Sequence, residues 1–279
     1  MRILESINSP GKGTGTGDDR FGFDEAAGLA WVLDGSTDVG GRRVMPSQES
    51  DAAWFADALS LQFASSGAAP DEAGPAYLSR SIAAVAKRAA KEATEDLSQA
   101  PRYTLPTAAG VWLRQLGERK VEVLSLGDCI CLIETANGLD VIGYMEKPAE
   151  EAAGARKLLE LSDTERLAAL QTQRAAHNTD GGYWCFGLQP EAAERALHRQ
   201  VEIMPGARAL LMSDGFFRLI TPYDYFSLQG LMDEAKEVGL ADTMYALRSL
   251  ERSPDDNARM GRLKTSDDAC AVLLGFDAG

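Results

Sequence analysis

The chain has 279 residues, 45% of them hydrophobic, and a formal net charge of −14. That length supports one large core or at most two domains, and so acidic a surface repels nucleic acid and anionic lipid, which excludes both as partners. The apolar runs fall far short of the roughly 18–20 residues that span a bilayer. The opening MRILESINSP lacks a signal-peptide pattern, and four cysteines in a chain this long make no disulfide framework, so a cytoplasmic globular protein is expected.

The first predicted element is a strand with its turn over 27–35, inside LAWVLDGSTD. A helix is predicted over 47–66, with Ser47 as N-cap and Trp54, Phe55, Ala58, Leu59 and Phe63 at helical spacing. After the loop SGAAPDEAGP, a second helix over 75–97 carries Leu78, Ile82, Val85 and Ala89 on one stripe. Residues 107–144 change period. AAGVWLRQL, KVEVLSL, ICLIE and LDVIGY are short strand-like runs separated by turn signals at Gly117, Gly127-Asp128 and Asn137-Gly138. They read as an antiparallel meander.

Residues 146–180 are rich in Glu, Ala, Arg and Gln and read as an exposed helical segment. Strand signal returns in VEIMPGARALLM, 201–212. Helices follow at 223–238 and 240–252, and a last strand at 269–276. Meander strands with paired helices imply one α+β domain built in layers.

The strand-like runs share a feature. LAWVLDG ends on Asp34-Gly35, RALLMSDG on Asp214-Gly215, and VEVLSLGD on Gly127-Asp128. Asp267-Asp268 precede the last strand, and Asp18-Asp19 follow a glycine-rich loop. A single Asp-Gly is an ordinary turn signal. Five such places along one chain suggest carboxylates delivered to a common site, because rigid strand ends position functional groups. Crowded carboxylates repel unless a cation neutralises them, and oxygen-only ligands suit Mg²⁺ or Mn²⁺. With only His177 and His198, and without paired cysteine spacing, zinc does not fit. SPGKGTGTG lacks the spacing of a nucleotide-binding loop, and DDRFGFDE lacks the alternating ligands of a calcium loop. Cys129 and Cys131 alternate on one strand and read as buried small side chains.

Taken in order, DDR at 18–20, WVLDGSTDVGG, TLPTAAGVWLR, VLSLGDCICLI, LLMSDGFFRLI and TSDDACAVLLGF resemble the motifs of the metal-dependent, type 2C serine/threonine protein phosphatases, in their bacterial form. The resemblance covers nearly the whole chain. It implies a four-layer α-β-β-α sandwich, two antiparallel sheets flanked by helix pairs, as a single domain over 1–279 with a helical flap around 146–185 that would select substrate. It implies two Mg²⁺ or Mn²⁺ ions, with a third in some members. By matching positions, Asp34 would bridge the two metals and Gly35 would ligate through its carbonyl. Asp214 and Asp267 would hold the first metal, Asp18 and Asp19 the second, and Asp128 would help hold the third. Asp34, Asp214 and Asp267 would carry catalysis. The implied substrate is a phosphoserine or phosphothreonine protein, with a cognate kinase opposing.

The chain departs from the family in two places. Thr14 occupies the position of a phosphate-binding Arg, with Lys12 nearby either as a point-charge substitute or as a solvated loop lysine. Ser36 occupies the position of a His that could protonate the leaving group. These departures leave a second reading open, a catalytically weak phosphoprotein-binding or regulatory module, and behind it a hydrolase of small phosphorylated metabolites.

Overall fold

Strands buried on both faces have little room for polar alternation, and LAWVL, AAGVWL, ICLI, ALLM and ACAVLL are such unbroken apolar runs. The computed structural model describes residues 1–11, 15–46, 50–69, 71–145, 154, 157–253 and 265–276. Its strands are β1 (Arg2–Ser9), β2 (Arg20–Asp24), β3 (Leu29–Gly35), β4 (Ala108–Gly117), β5 (Lys120–Leu126), β6 (Ile130–Thr135), β7 (Gly138–Ile142), β8 (Leu197–Glu202), β9 (Arg208–Met212) and β10 (Ala269–Gly275). Its helices are α1 (Asp51–Ser66), α2 (Gly74–Glu92), α3 (Asp163–Ala175), α4 (Asp214–Phe217), α5 (Leu228–Glu237) and α6 (Leu240–Arg252). The strands make two five-stranded antiparallel sheets, ordered β1-β10-β9-β6-β7 and β2-β3-β4-β5-β8.

Three cores glue four layers. On β3, Ala30 and Val32 face the other sheet, where they meet Cys270, Val272 and Leu211. Their neighbours Leu29, Trp31 and Leu33 face outward, against Phe55, Leu59 and Phe63 of α1 and Leu78 and Ile82 of α2. The opposite outer face, Leu132, Leu210 and Leu273, packs on Leu231 and Met232 of α5 and Leu247 of α6. A period of two thus sends alternate residues into two separate cores. This is the layered α+β sandwich expected, with helices flanking both sheets.

Two expectations are corrected. The four runs over 107–144 are not one meander: β4 and β5 pair in one sheet, while β6 pairs with β7 and β9 in the other. The Gly127-Asp128 turn carries the chain across the sandwich, and turn chemistry does not encode which sheet receives the next strand. Likewise VEIMPGARALLM is two strands in different sheets, broken at Pro205-Gly206 where Gly206 has φ +81°. Strands β1 and β2 went unpredicted. Both are only partly buried, so no apolar run announces them. Helix α1 is capped by Ser50, whose hydroxyl accepts from the Ala53 N–H. The predicted cap Ser47 lies outside the described residues. All four cysteines are buried, and no disulfide joins any of them.

Candidate active site

One end of the sandwich gathers the strand-end aspartates. Asp34 lies one residue before the end of β3, beside Ala109 of β4. Asp214 follows β9 at the first residue of α4, and Asp267 and Asp268 precede β10. These four, with Gly35 and Asp128, line one pocket of about 260 Å³. The sequence separates them by more than 200 residues, and the antiparallel pairing of β10 with β9 brings Asp214 and Asp267-Asp268 to one edge. The tightness needs glycine. A Cβ on Gly215 would lie 1.8 Å from the Asp268 carbonyl oxygen, and one on Gly35 would lie 2.7 Å from that of Asp18.

Asp19 and Asp34 carry the strongest electrostatic tension. Burial holds Asp19 well above the usual carboxylate range, offset in part by the Ser213 hydroxyl and reinforced by the charges of Asp268, Asp214 and Asp267. Neither carboxylate oxygen of Asp19 has a hydrogen-bond partner of good geometry among the described residues. Asp34 is raised for the same reason, burial first, then Asp19 and Asp214, with Asp128 adding to it. Cys129, beneath them, is pushed up by burial and by Asp34 and Asp128, which makes it an unreactive thiol.

Other aspartates are engaged. Asp18 Oδ1 accepts from the Ser50 hydroxyl at 2.5 Å, at the start of α1; Asp18 and Asp19 both lie beside the pocket rather than on its lining. The Asp268 carboxylate accepts from the Gly11 N–H at 2.7 Å and from the Asp18 N–H, so it pins the loop after β1. Asp267 Oδ1 accepts from the Asp268 N–H at 3.2 Å and its Oδ2 from Arg218 at 2.7 Å. Lys12 and Thr14 lie outside the described residues.

Among the described residues, no three His, Cys, Asp or Glu side chains form a finished metal cage. The donor set nonetheless fits hard divalent cations. It is all oxygen, mutually repulsive, and contains a fully buried carboxylate with both oxygens unsatisfied. Asp34, the Gly35 carbonyl, Asp214 and Asp267 on the pocket wall, with Asp18 and Asp19 beside them, are groups that could hold such ions, and Asp128 lines the same pocket.

Three residues on or behind the wall escaped the sequence reading. Arg218 hides in the apolar stretch FFRLI, and Arg174 and His177 lie in a stretch that reads as exposed helix. No local pattern marks them, because their role depends on where the segment folds back.

No protein-family model matches this sequence, and no curated protein matches it. Solved structures do. The Mycobacterium tuberculosis serine/threonine phosphatase PstP is 14% identical, with a TM-score of 0.55 over 98% of this chain and 97% of that one. The catalytic domain of PstP in complex with two manganese ions matches at 15% identity and a TM-score of 0.53, covering 98% and 97%. Serine/threonine phosphatase Stp1 from Staphylococcus aureus matches at 13% and 0.56, covering 100% and 96%. The likeness is one of fold: this chain is built on the two-sheet architecture of the bacterial type 2C serine/threonine phosphatases.

Proposed function

We propose that the chain is a metal-dependent phosphatase acting on phosphoserine or phosphothreonine in proteins, a single domain with a flap around 146–185. The observation that carries this reading is the convergence of Asp34, Asp128, Asp214 and Asp267 on one pocket, with Asp19 buried and unsatisfied beside them. Asp34 would hold Mg²⁺ or Mn²⁺, in a site for two ions. The Gly35 carbonyl, Asp214, Asp267 and Asp19 would complete the set, and Asp128 would support a third ion.

When bound, the ions would supply a water acidified toward neutrality as the attacking group and charge neutralisation for the phosphoryl oxygens. The chain's own part is to fix geometry. Antiparallel pairing of β3 with β4 and of β9 with β10 sets the carboxylates on rigid strand ends. Asp18 would serve the second ion beside Asp19, with its Oδ1 accepting from Ser50 and its N–H held by the Asp268 carboxylate. No described serine of the pocket is paired with a histidine general base, so direct attack by water is favoured over a covalent route.

The test is hydrolysis of p-nitrophenyl phosphate with and without Mn²⁺. Activity should require the metal and be abolished in Asp34→Ala and in Asp214→Ala; full activity in both variants overturns the assignment. A second reading, a regulatory phosphoprotein-binding module, is favoured by the engagement of Asp267 with Arg218. Metal-dependent capture of a phosphopeptide without turnover would select it. Chain length and charge point to neither a nucleic-acid nor a membrane partner, and no helix among the described residues is long and apolar enough to cross a bilayer.

A further inference from the structure

The acidic pocket has one wall of a different character. Leu170, Gln173, Arg174 and His177 follow each other at helical spacing on α3 and the turn beyond it, and all four line the pocket. Arg174 is the only Lys or Arg among the described residues that does so. Its Nη2 donates to the Thr37 carbonyl at 2.9 Å and its Nη1 to the Ser36 carbonyl at 3.3 Å. Two of the five guanidinium N–H groups are thereby used, and three are left to offer.

This placement is rigid from both sides. The loop it grips is fixed by Asp38, whose carboxylate accepts from the Asp51 and Ala52 N–H groups at the start of α1, at 2.8 and 3.2 Å. The far end of α3 is held by Arg102, which donates to the carbonyls of Ala175 and His177 at 3.1 and 2.9 Å. Burial pulls the Arg174 guanidinium down from its ordinary value, yet an arginine stays charged at neutral pH. A half-buried fork of donors therefore faces a cluster of carboxylates across a pocket large enough for a phosphoryl group.

We propose that Arg174 is the substrate-phosphate-binding residue of this chain, supplied by the flap in place of the arginine that Thr14 replaces. The inference rests on the phosphatase reading. It also changes what the flap does. A segment expected to select among protein substrates would hold the phosphate itself, and so would matter even for a small aryl phosphate.

The test compares wild type with Arg174→Gln, Arg174→Lys and Lys12→Ala, measuring p-nitrophenyl phosphate kinetics, inhibition by inorganic phosphate, and Mn²⁺ affinity by calorimetry. Arg174→Gln should raise KM and weaken phosphate inhibition together by about ten- to hundredfold, the worth of a charged hydrogen-bonding partner. Its Mn²⁺ affinity should not change. Arg174→Lys should recover part of the loss, and Lys12→Ala should change little. Unchanged KM and phosphate inhibition in Arg174→Gln overturn the proposal. So does an equal loss in the Lys and Gln variants accompanied by weakened Mn²⁺ binding, which marks a purely structural anchor. If wild type lacks Mn²⁺-dependent hydrolysis, the phosphatase reading fails. Calorimetric binding of inorganic phosphate then decides the Arg174 assignment alone: binding lost in Arg174→Gln supports it, and binding retained refutes it.

Discussion

Arg218 lies one helical turn after Asp214, and its Nη2 donates to Asp267 Oδ2 at 2.7 Å. Its Nη1 reaches the buried Glu251 at 3.4 Å. Glu251 also accepts from Arg248 at 2.5 Å, and Arg248 donates to the Ser9 carbonyl at 2.7 Å. Asp267, Arg218, Glu251 and Arg248 thus alternate in charge from the pocket through α6 to the end of β1, and each charge meets its opposite where water is scarce. Arg218 orients Asp267, and through it the wall of the pocket where the proposed ions would be held.

Losing that orientation should cost metal before it costs chemistry. Arg218→Met is expected to raise the Mn²⁺ concentration for half-maximal activity by about tenfold or more, the usual effect of removing a group that orients a metal ligand. Arg218→Lys should lie between, since an ammonium carries the charge without the fork. A Mn²⁺ titration of activity, paired with direct Mn²⁺ binding, checks this.

The raised carboxylates set a pH dependence for the metal-free protein. Asp19 and Asp34 have folded-state pKa values well above the ordinary 3.8. Between that value and the folded one, the folded chain binds more protons than the unfolded chain, so stability falls as pH rises. With chelator present, the thermal midpoint should drop on going from about pH 4 upward to neutrality. Added Mn²⁺ should oppose the drop, increasingly so at higher pH, because ions compete with protons for the same oxygens. Asp19→Asn should flatten the metal-free profile. A metal-free midpoint that rises with pH would contradict the burial of these groups.

Gly215→Ala should damage both fold and site. Its Cβ would sit 1.8 Å from the Asp268 carbonyl oxygen, a backbone atom at the start of β10. Relief requires β10 to move, at a cost of about 1–3 kcal/mol. Thermal unfolding should show the loss, and activity should fall further than stability alone accounts for.

A contrasting change lies far from the pocket. Glu122, buried on β5, accepts from Arg114 at 2.6 Å and pairs with His198 at 2.8 Å. Glu122→Ala leaves Arg114 uncompensated and should destabilise by about 3–5 kcal/mol. Arg114 retains its bonds to the Ala69 and Glu72 carbonyls, which places the result at the lower end of that range. Below the unfolding transition, Mn²⁺ dependence and KM should match wild type.

What the sequence disclosed followed from local physics. Strands with both faces buried show as apolar runs, so β3, β9 and β10 and the aspartates at their ends were readable, and the layered class followed. What escaped depends on contacts between distant segments. The partition of β4–β7 between two sheets goes with the pairing of β5 with β8 and of β6 with β9, strands more than 50 residues later in the chain. Asp18 and Asp19 are adjacent, yet one turns to Ser50 and the other is buried beside Ser213, Asp214 and Asp268, which a dipeptide cannot reveal. Arg174 and Arg218 sit in an ordinary helix surface and an ordinary apolar stretch, and folding gives them their partners.

The pairing of β1 with β10 joins the first strand of the chain to the last, with Ser9 opposite Ala269. The aspartates following β1 and those preceding β10 therefore reach one another only after some 250 intervening residues have been made. On the ribosome, a growing chain would hold most of these aspartates and still lack Asp267 and Asp268, and with them the finished pocket. The chemistry proposed for this pocket would thus wait on the pairing of β10 with β1 and β9, whatever the order in which the other strands form.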